Sequence, residues 1–147
     1  MNILALLLLG TLTGNELAVG AFVHPALSRL PDAVHAASAQ NVARIYGKIG
    51  PFWYAATLLG LIFLAWRTPS NNSGKLALII SAALMAVSII FTVALLVPIN
   101  NRVAAWSLES LPANWKTERA RWDALHAMRI AILLFAFIAL CLGVLPQ

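Results

Sequence analysis

Charge is what this sequence has least of. Only 10% of its 147 residues are Asp, Glu, Lys or Arg, where soluble domains carry about a quarter. Acidic residues are rarest, five against ten basic ones. A chain this poor in charge and 61% hydrophobic cannot dress a folded surface with groups that water solvates. Cysteine is nearly missing: Cys141 stands alone, which excludes an intrachain disulfide and any metal site built on paired thiols. No internal repeat or low-complexity tract is present. No basic residue precedes the first apolar run, where a signal peptide has its positive region, so that run is expected to stay as a helix.

What is present is apolar length. Four runs hold the excess: Ile3 to Val23, Pro51 to Trp66, Leu76 to Val97 and Ala124 to Leu145. A hydrocarbon core of about 30 Å needs roughly 20 helical residues to cross it. Three runs meet that length. The second gains it if its helix begins near Ala39. Four spans leave no room for a separate soluble domain, so the expected fold is all-α: one integral-membrane four-helix bundle over residues 1–147, with spans at 3–25, 48–66, 76–97 and 122–145.

The connections are lopsided. One membrane face receives both termini and a short turn-rich segment holding Arg67 and Lys75. The other receives two longer segments, expected as loops at 26–50 and 98–123, with Arg29, Arg44, Lys48, Arg102, Lys116, Arg119 and Arg121. By the positive-inside rule that basic face is cytoplasmic, which sets both termini outside a bacterial inner membrane. The net charge of +5 is thereby explained by topology and anionic lipid, and nucleic acid is not an expected partner. Gly10 and Gly14 make a G-x-x-x-G match that offers a face for self-association.

Polar residues inside the spans are few and share one half of the membrane. In the fourth helix, opened by Asn114 as a candidate N-cap, Arg119, Trp122, His126 and Arg129 recur at spacings of three, four and three, which puts them on one stripe. Arg121 and Asp123 fall off that stripe and read as solvated. Counting about 1.5 Å per residue, Glu16 lies about 4–5 Å from the midplane and Arg129 about 9 Å, on the same side. A carboxylate and a guanidinium at such depths are costly alone and are expected to pair inside the bundle. His126 and His24 fall about 13–16 Å from the midplane in the same half, and Asn100 can add an amide. Each residue also has a plainer account: a structural ion pair, an interfacial histidine, a helix end at His24-Pro25, a tryptophan belt. None of these explains why all share a side.

The string Pro98-Ile99-Asn100-Asn101, the pattern Trp122-x-x-x-His126-x-x-Arg129 and the His24-Pro25 helix end resemble the anthrone oxygenase-like family of small four-span membrane proteins, over nearly the whole chain. Its fungal members are implicated in oxidising anthrones to anthraquinones with molecular oxygen. The resemblance implies a membrane-embedded oxidoreductase acting on a hydrophobic aromatic, anthrone- or quinone-like. Such a reaction needs a base, an oxyanion stabiliser and an apolar pocket. His126 is the expected base, Arg129 the stabiliser of the enolate oxygen, and Glu16 the group that orients or neutralises Arg129. Asn100, Trp115, Trp122, His24 and Arg119 are expected to contact the substrate.

Two other readings stay open. His24, His126 and Glu16 have the two-histidine, one-carboxylate composition of non-haem iron sites, and the two histidines could ligate haem. Because Glu16 lies about 10 Å deeper than either histidine, no cofactor is expected. A non-enzymatic quinone-, haem- or lipid-binding membrane subunit is the alternative to an enzyme.

Overall fold

The computed structural model describes residues 2–145. Its architecture is four long helices: α1 (Asn2–Leu27), α2 (Asp32–Arg67), α3 (Lys75–Ala104) and α4 (Trp115–Val144), each long and apolar enough to cross a membrane. Their outer faces are rows of exposed apolar side chains, among them Ile3, Phe22, Phe52, Leu59, Trp66, Ile90 and Phe135. Such rows belong in lipid, where there is no penalty for leaving them uncovered. The chain is an all-helical membrane bundle.

The basic face differs from expectation. The segment 26–50 is mostly helix: only 28–31 form a connection, and α2 starts at Asp32 and runs unbroken for 36 residues. Helix α3 likewise continues to Ala104, so only 105–114 connects it to α4. At 1.5 Å per residue α2 is about 54 Å long, well beyond the hydrocarbon thickness. The surplus on α2, α3 and α4 forms a second storey above the membrane half of the bundle. His35, inside the expected loop, sits instead in α2 with its ring edge-on to Trp115 at 5.3 Å.

The interior is correspondingly split. One apolar cluster joins Leu9, Leu12, Leu61, Met85, Leu133 and Leu140; the other joins Val19, Ala36, Leu96, Ile99, Val103, Trp106, Trp115 and Trp122. Small residues let the helices of the first cluster meet closely: Ser81 donates to the Ala136 carbonyl at 2.8 Å across α3 and α4. Between the two clusters lie the buried polar side chains Glu16, His126 and Arg129.

Two helices reach this layer through π turns, Val19–Val23 in α1 and Thr92–Leu96 in α3. Each is followed at once by an X-Pro pair, His24-Pro25 and Val97-Pro98. A proline in a helix loses a donor and crowds the carbonyl four residues back. Those carbonyls belong to Ala21 and Ala94, inside the wider turns, where the ring finds space. The extra residue also re-aims side chains. Glu16 and His24 are eight positions apart, about 80° out of line in a uniform α-helix; absorbing one residue restores a seven-residue spacing, about 20°.

Candidate functional site

The polar layer is built around Arg129, held on α4 and nearly buried. Its Nη2 donates to Glu16 Oε2 at 2.6 Å and to His126 Nδ1 at 2.8 Å. Nη1 reaches Thr92 Oγ1 at 3.4 Å, and the guanidinium stands 5.7 Å from the ring centre of Tyr54. The second oxygen of Glu16 accepts from Tyr54 Oη at 2.9 Å. One carboxylate thus answers one guanidinium, with a phenol and an imidazole completing the shell. A buried ion pair is tolerated through such partners, although Arg129 Nε is buried without one.

These contacts fix the His126 tautomer. A guanidinium only donates, so Nδ1 is the acceptor and Nε2 carries the hydrogen, given to the Glu16 backbone carbonyl at 3.1 Å. Gly20 makes that approach possible, since a Cβ there would lie 3.1 Å from His126 Cδ2 and 2.7 Å from Ile130 Cδ1.

A second polar group sits one turn along α4. Asp123 Oδ1 accepts from Arg119 Nη2 at 3.2 Å and from His24 Nδ1 at 3.0 Å, and Arg119 Nη2 also touches His24 Nδ1. Nδ1 of His24 thus faces both a guanidinium donor and a carboxylate acceptor, and its buried Nε2 has no protein partner. Trp122 joins the two groups: its ring stacks on His24 at 4.6 Å and on His126 at 4.5 Å.

Both groups border one cavity of about 710 Å³, within the range of small-molecule sites, about 300–1,000 Å³. Glu16, Tyr54, Arg129, His24, Arg119 and Trp122 supply its polar wall; the remainder is largely aliphatic and runs between α2 and α3.

A family model described as anthrone oxygenase matches residues 41–139. The chain belongs to the anthrone oxygenase family. No curated protein and no solved structure matches it. The matched stretch includes Tyr54, Asn100, Trp122, His126 and Arg129 on α2, α3 and α4, whereas Glu16 and His24 lie before it on α1.

In this anthrone oxygenase family member the expected residues are placed as follows. Glu16, His126 and Arg129 meet directly, and His24, Asn100, Arg119 and Trp122 stand with Glu16 and Arg129 along the cavity wall. Trp115 does not. It packs edge-on against Trp106 and His35 in the upper core, away from the cavity lining. His126 is 1% exposed and also lies behind the wall, with both ring nitrogens engaged. The alternative metal set is not assembled either: among the described residues no three His, Cys, Asp or Glu side chains are grouped to hold an ion.

Two site residues escaped the sequence reading. Tyr54 is the one tyrosine within the apolar run Pro51 to Trp66, and that isolation was its only signal. Asp123, expected in solvent, is half exposed yet bonds both Arg119 and His24. Its position four residues after Arg119 was the available clue.

Proposed function

We propose that this protein oxidises a membrane-dissolved anthrone-type aromatic with molecular oxygen, in the cavity between its two polar groups. The observation that carries the reading is a largely apolar cavity bordered both by a buried guanidinium held on Glu16 and by a histidine whose buried Nε2 has no partner. Family membership supports it.

The chemistry selects the roles. In an anthrone the acidic methylene and the ketone face each other across the central ring. The base and the oxyanion stabiliser must therefore stand apart by about a ring's width. Glu16 touches Arg129 at 2.6 Å, too close to serve as its opposite. His24 belongs to the separate group with Arg119 and Asp123 and borders the same cavity as Arg129. His24 Nε2 takes the methylene proton, and Asp123 holds the imidazole by Nδ1 as the carboxylate of a dyad does. Arg129 stabilises the enolate oxygen. The role expected of His126 thus passes to His24, and His126 and Glu16 position Arg129. The enolate gives its electrons to O₂ and forms a carbon-bound hydroperoxide. Loss of water from that adduct leaves the second carbonyl, so one anthrone and one O₂ become one anthraquinone and one water. The aliphatic wall keeps water from the enolate.

The test is anthraquinone formation with matched oxygen uptake by the protein in lipid nanodiscs given anthrone, measured above the spontaneous oxidation in empty discs. His24→Asn and Arg129→Met are each expected to lower the rate by about 10²–10³, the usual worth of a base or an oxyanion donor. A wild-type rate equal to that of empty discs would falsify the reading.

The location follows the same proposal: a bacterial inner membrane, with the extended storey of α2, α3 and α4 in the cytoplasm. Arg119 is buried and serves the site, but Arg29, Arg44, Lys48, Arg102, Lys116 and Arg121 still outnumber Arg67 and Lys75.

A further inference from the structure

The cavity is extended along two helices. Along α2 it is bordered from Ala39 to Leu59, and along α3 from Ile89 to Ala104. At 1.5 Å per residue the α3 side spans about 22 Å. This is an elongated slot between the two helices.

Its two ends differ. At the end away from the membrane centre, the last carbonyls of α3 lack helical donors and are taken by α2. Gln40 Nε2 donates to the carbonyls of Ala104 at 3.2 Å and Trp106 at 2.9 Å, and Arg44 Nη2 donates to Ala104 at 2.9 Å. Toward the membrane centre, from Gly47 to Leu59, no side-chain hydrogen bond joins α2 to α3 among the described residues. There the slot reaches the outer surface of the bundle: Leu59 and Val93, both on its border, are 66% and 60% exposed. Gly47 and Gly50 line the same stretch, and a Cβ on either would meet nothing within 4 Å. The seam is latched on the water side and open on the lipid side.

We infer that the α2–α3 slot is a binding site open sideways to the bilayer, which takes a flat hydrophobic aromatic from lipid and holds it edge-on against the Glu16–Arg129 wall. The inference rests on the proposed function for the polar groups at the inner wall and for the flat aromatic. The slot's shape, its latch and its lipid opening are independent of the reaction.

Anthraquinone is the probe, preloaded into nanodiscs that contain the protein, with quenching of tryptophan fluorescence as the readout. Trp122 borders the cavity, so bound quinone adds a saturable component to the linear quenching from lipid. Gly47→Phe and Gly50→Phe add bulk at the slot's border from positions where a Cβ meets nothing; Gly14→Phe is the matched control, because Gly14 is exposed on α1 and its Cβ position is also empty. Val93→Trp narrows the slot from the α3 side if a glycine variant does not fold. The wild type and Gly14→Phe should saturate at the same quinone content, and the slot variants should need at least tenfold more. An unchanged midpoint in the folded slot variants, or no saturable component in the wild type, overturns the inference. Turnover measured alongside separates the two ideas. Saturable binding without anthrone oxidation sinks the reaction and keeps the slot; wild-type oxidation that survives Gly47→Phe and Gly50→Phe, with unmoved binding, does the reverse.

Discussion

Arg129 donates from one nitrogen to two acceptors of different kinds, the Glu16 carboxylate at 2.6 Å and the His126 imidazole at 2.8 Å. Removing the carboxylate leaves a buried cation with only neutral partners, a loss of about 3–5 kcal/mol for a broken buried pair. Glu16→Gln is therefore expected to lower the unfolding temperature in detergent clearly. Glu16→Gln/Arg129→Met should recover part of the loss, because it removes both charges; a double variant no more stable than Glu16→Gln would show that the pair is not what the fold depends on. The ion pair itself was legible in the sequence from depth alone, since two opposite charges in one half of the hydrocarbon have few other solutions. The partners of His126 were not legible. They depend on which ring nitrogen faces which atom, and no spacing along a helix specifies that.

At the scale of elements, the helices meet where side chains are smallest. The N-terminal end of α3 and the C-terminal end of α4 touch through glycines: a Cβ on Gly74 would collide with the Gly143 backbone carbonyl, and one on Gly143 would lie 2.6 Å from Leu78 Cδ2. Backbone yields poorly, so Gly74→Ala should destabilise the bundle by about 1–3 kcal/mol, the range for overpacking. Gly14→Ala, with empty space at its Cβ, should instead stabilise by about 0.5–1 kcal/mol through helix propensity. Unfolding in detergent compares them, and equal effects would contradict the packing assigned to Gly74. Near the site, Gly20→Ala strikes the movable end of Ile130 and the held ring of His126. Its expected cost falls partly on activity, and Ile130→Val should relieve only the first contact. The π turns behind His24 and Asn100 were hidden from a reading at uniform 3.6-residue pitch, although the X-Pro pairs that accompany them stood in the sequence.

At the scale of the molecule, polarity is layered: an apolar cluster within the membrane, a charged layer, then a second apolar cluster under the extended helix ends. Salt bridges on that upper storey, Asp32 with Lys116 at 2.8 Å and Arg102 with Glu118 at 2.7 Å, are exposed wholly or in part. Each is worth no more than about 1 kcal/mol. The proposed orientation can be read with single cysteines in a Cys141→Ser background. A membrane-impermeant thiol reagent added to intact cells should label Ser73→Cys, in the turn between α2 and α3, and spare Ser107→Cys, between α3 and α4. The opposite pattern would invert the assignment without touching the fold.

The sequence alone determined that this chain is four membrane-spanning helices with ionisable groups gathered in one half. Span length and the cost of charge in hydrocarbon are properties of residues and spacing, independent of what packs where. Tertiary structure decided the rest: that 32–50 is helix, that Trp115 faces the upper core, that Asp123 belongs to the site, and that His126 stands behind the cavity while His24 stands on it. Helical periodicity places a residue on a face of its own helix. Which neighbour covers that face, and whether a ring nitrogen is already bonded there, depends on contacts between residues about a hundred positions apart, such as His24 with Asp123 and Glu16 with Arg129.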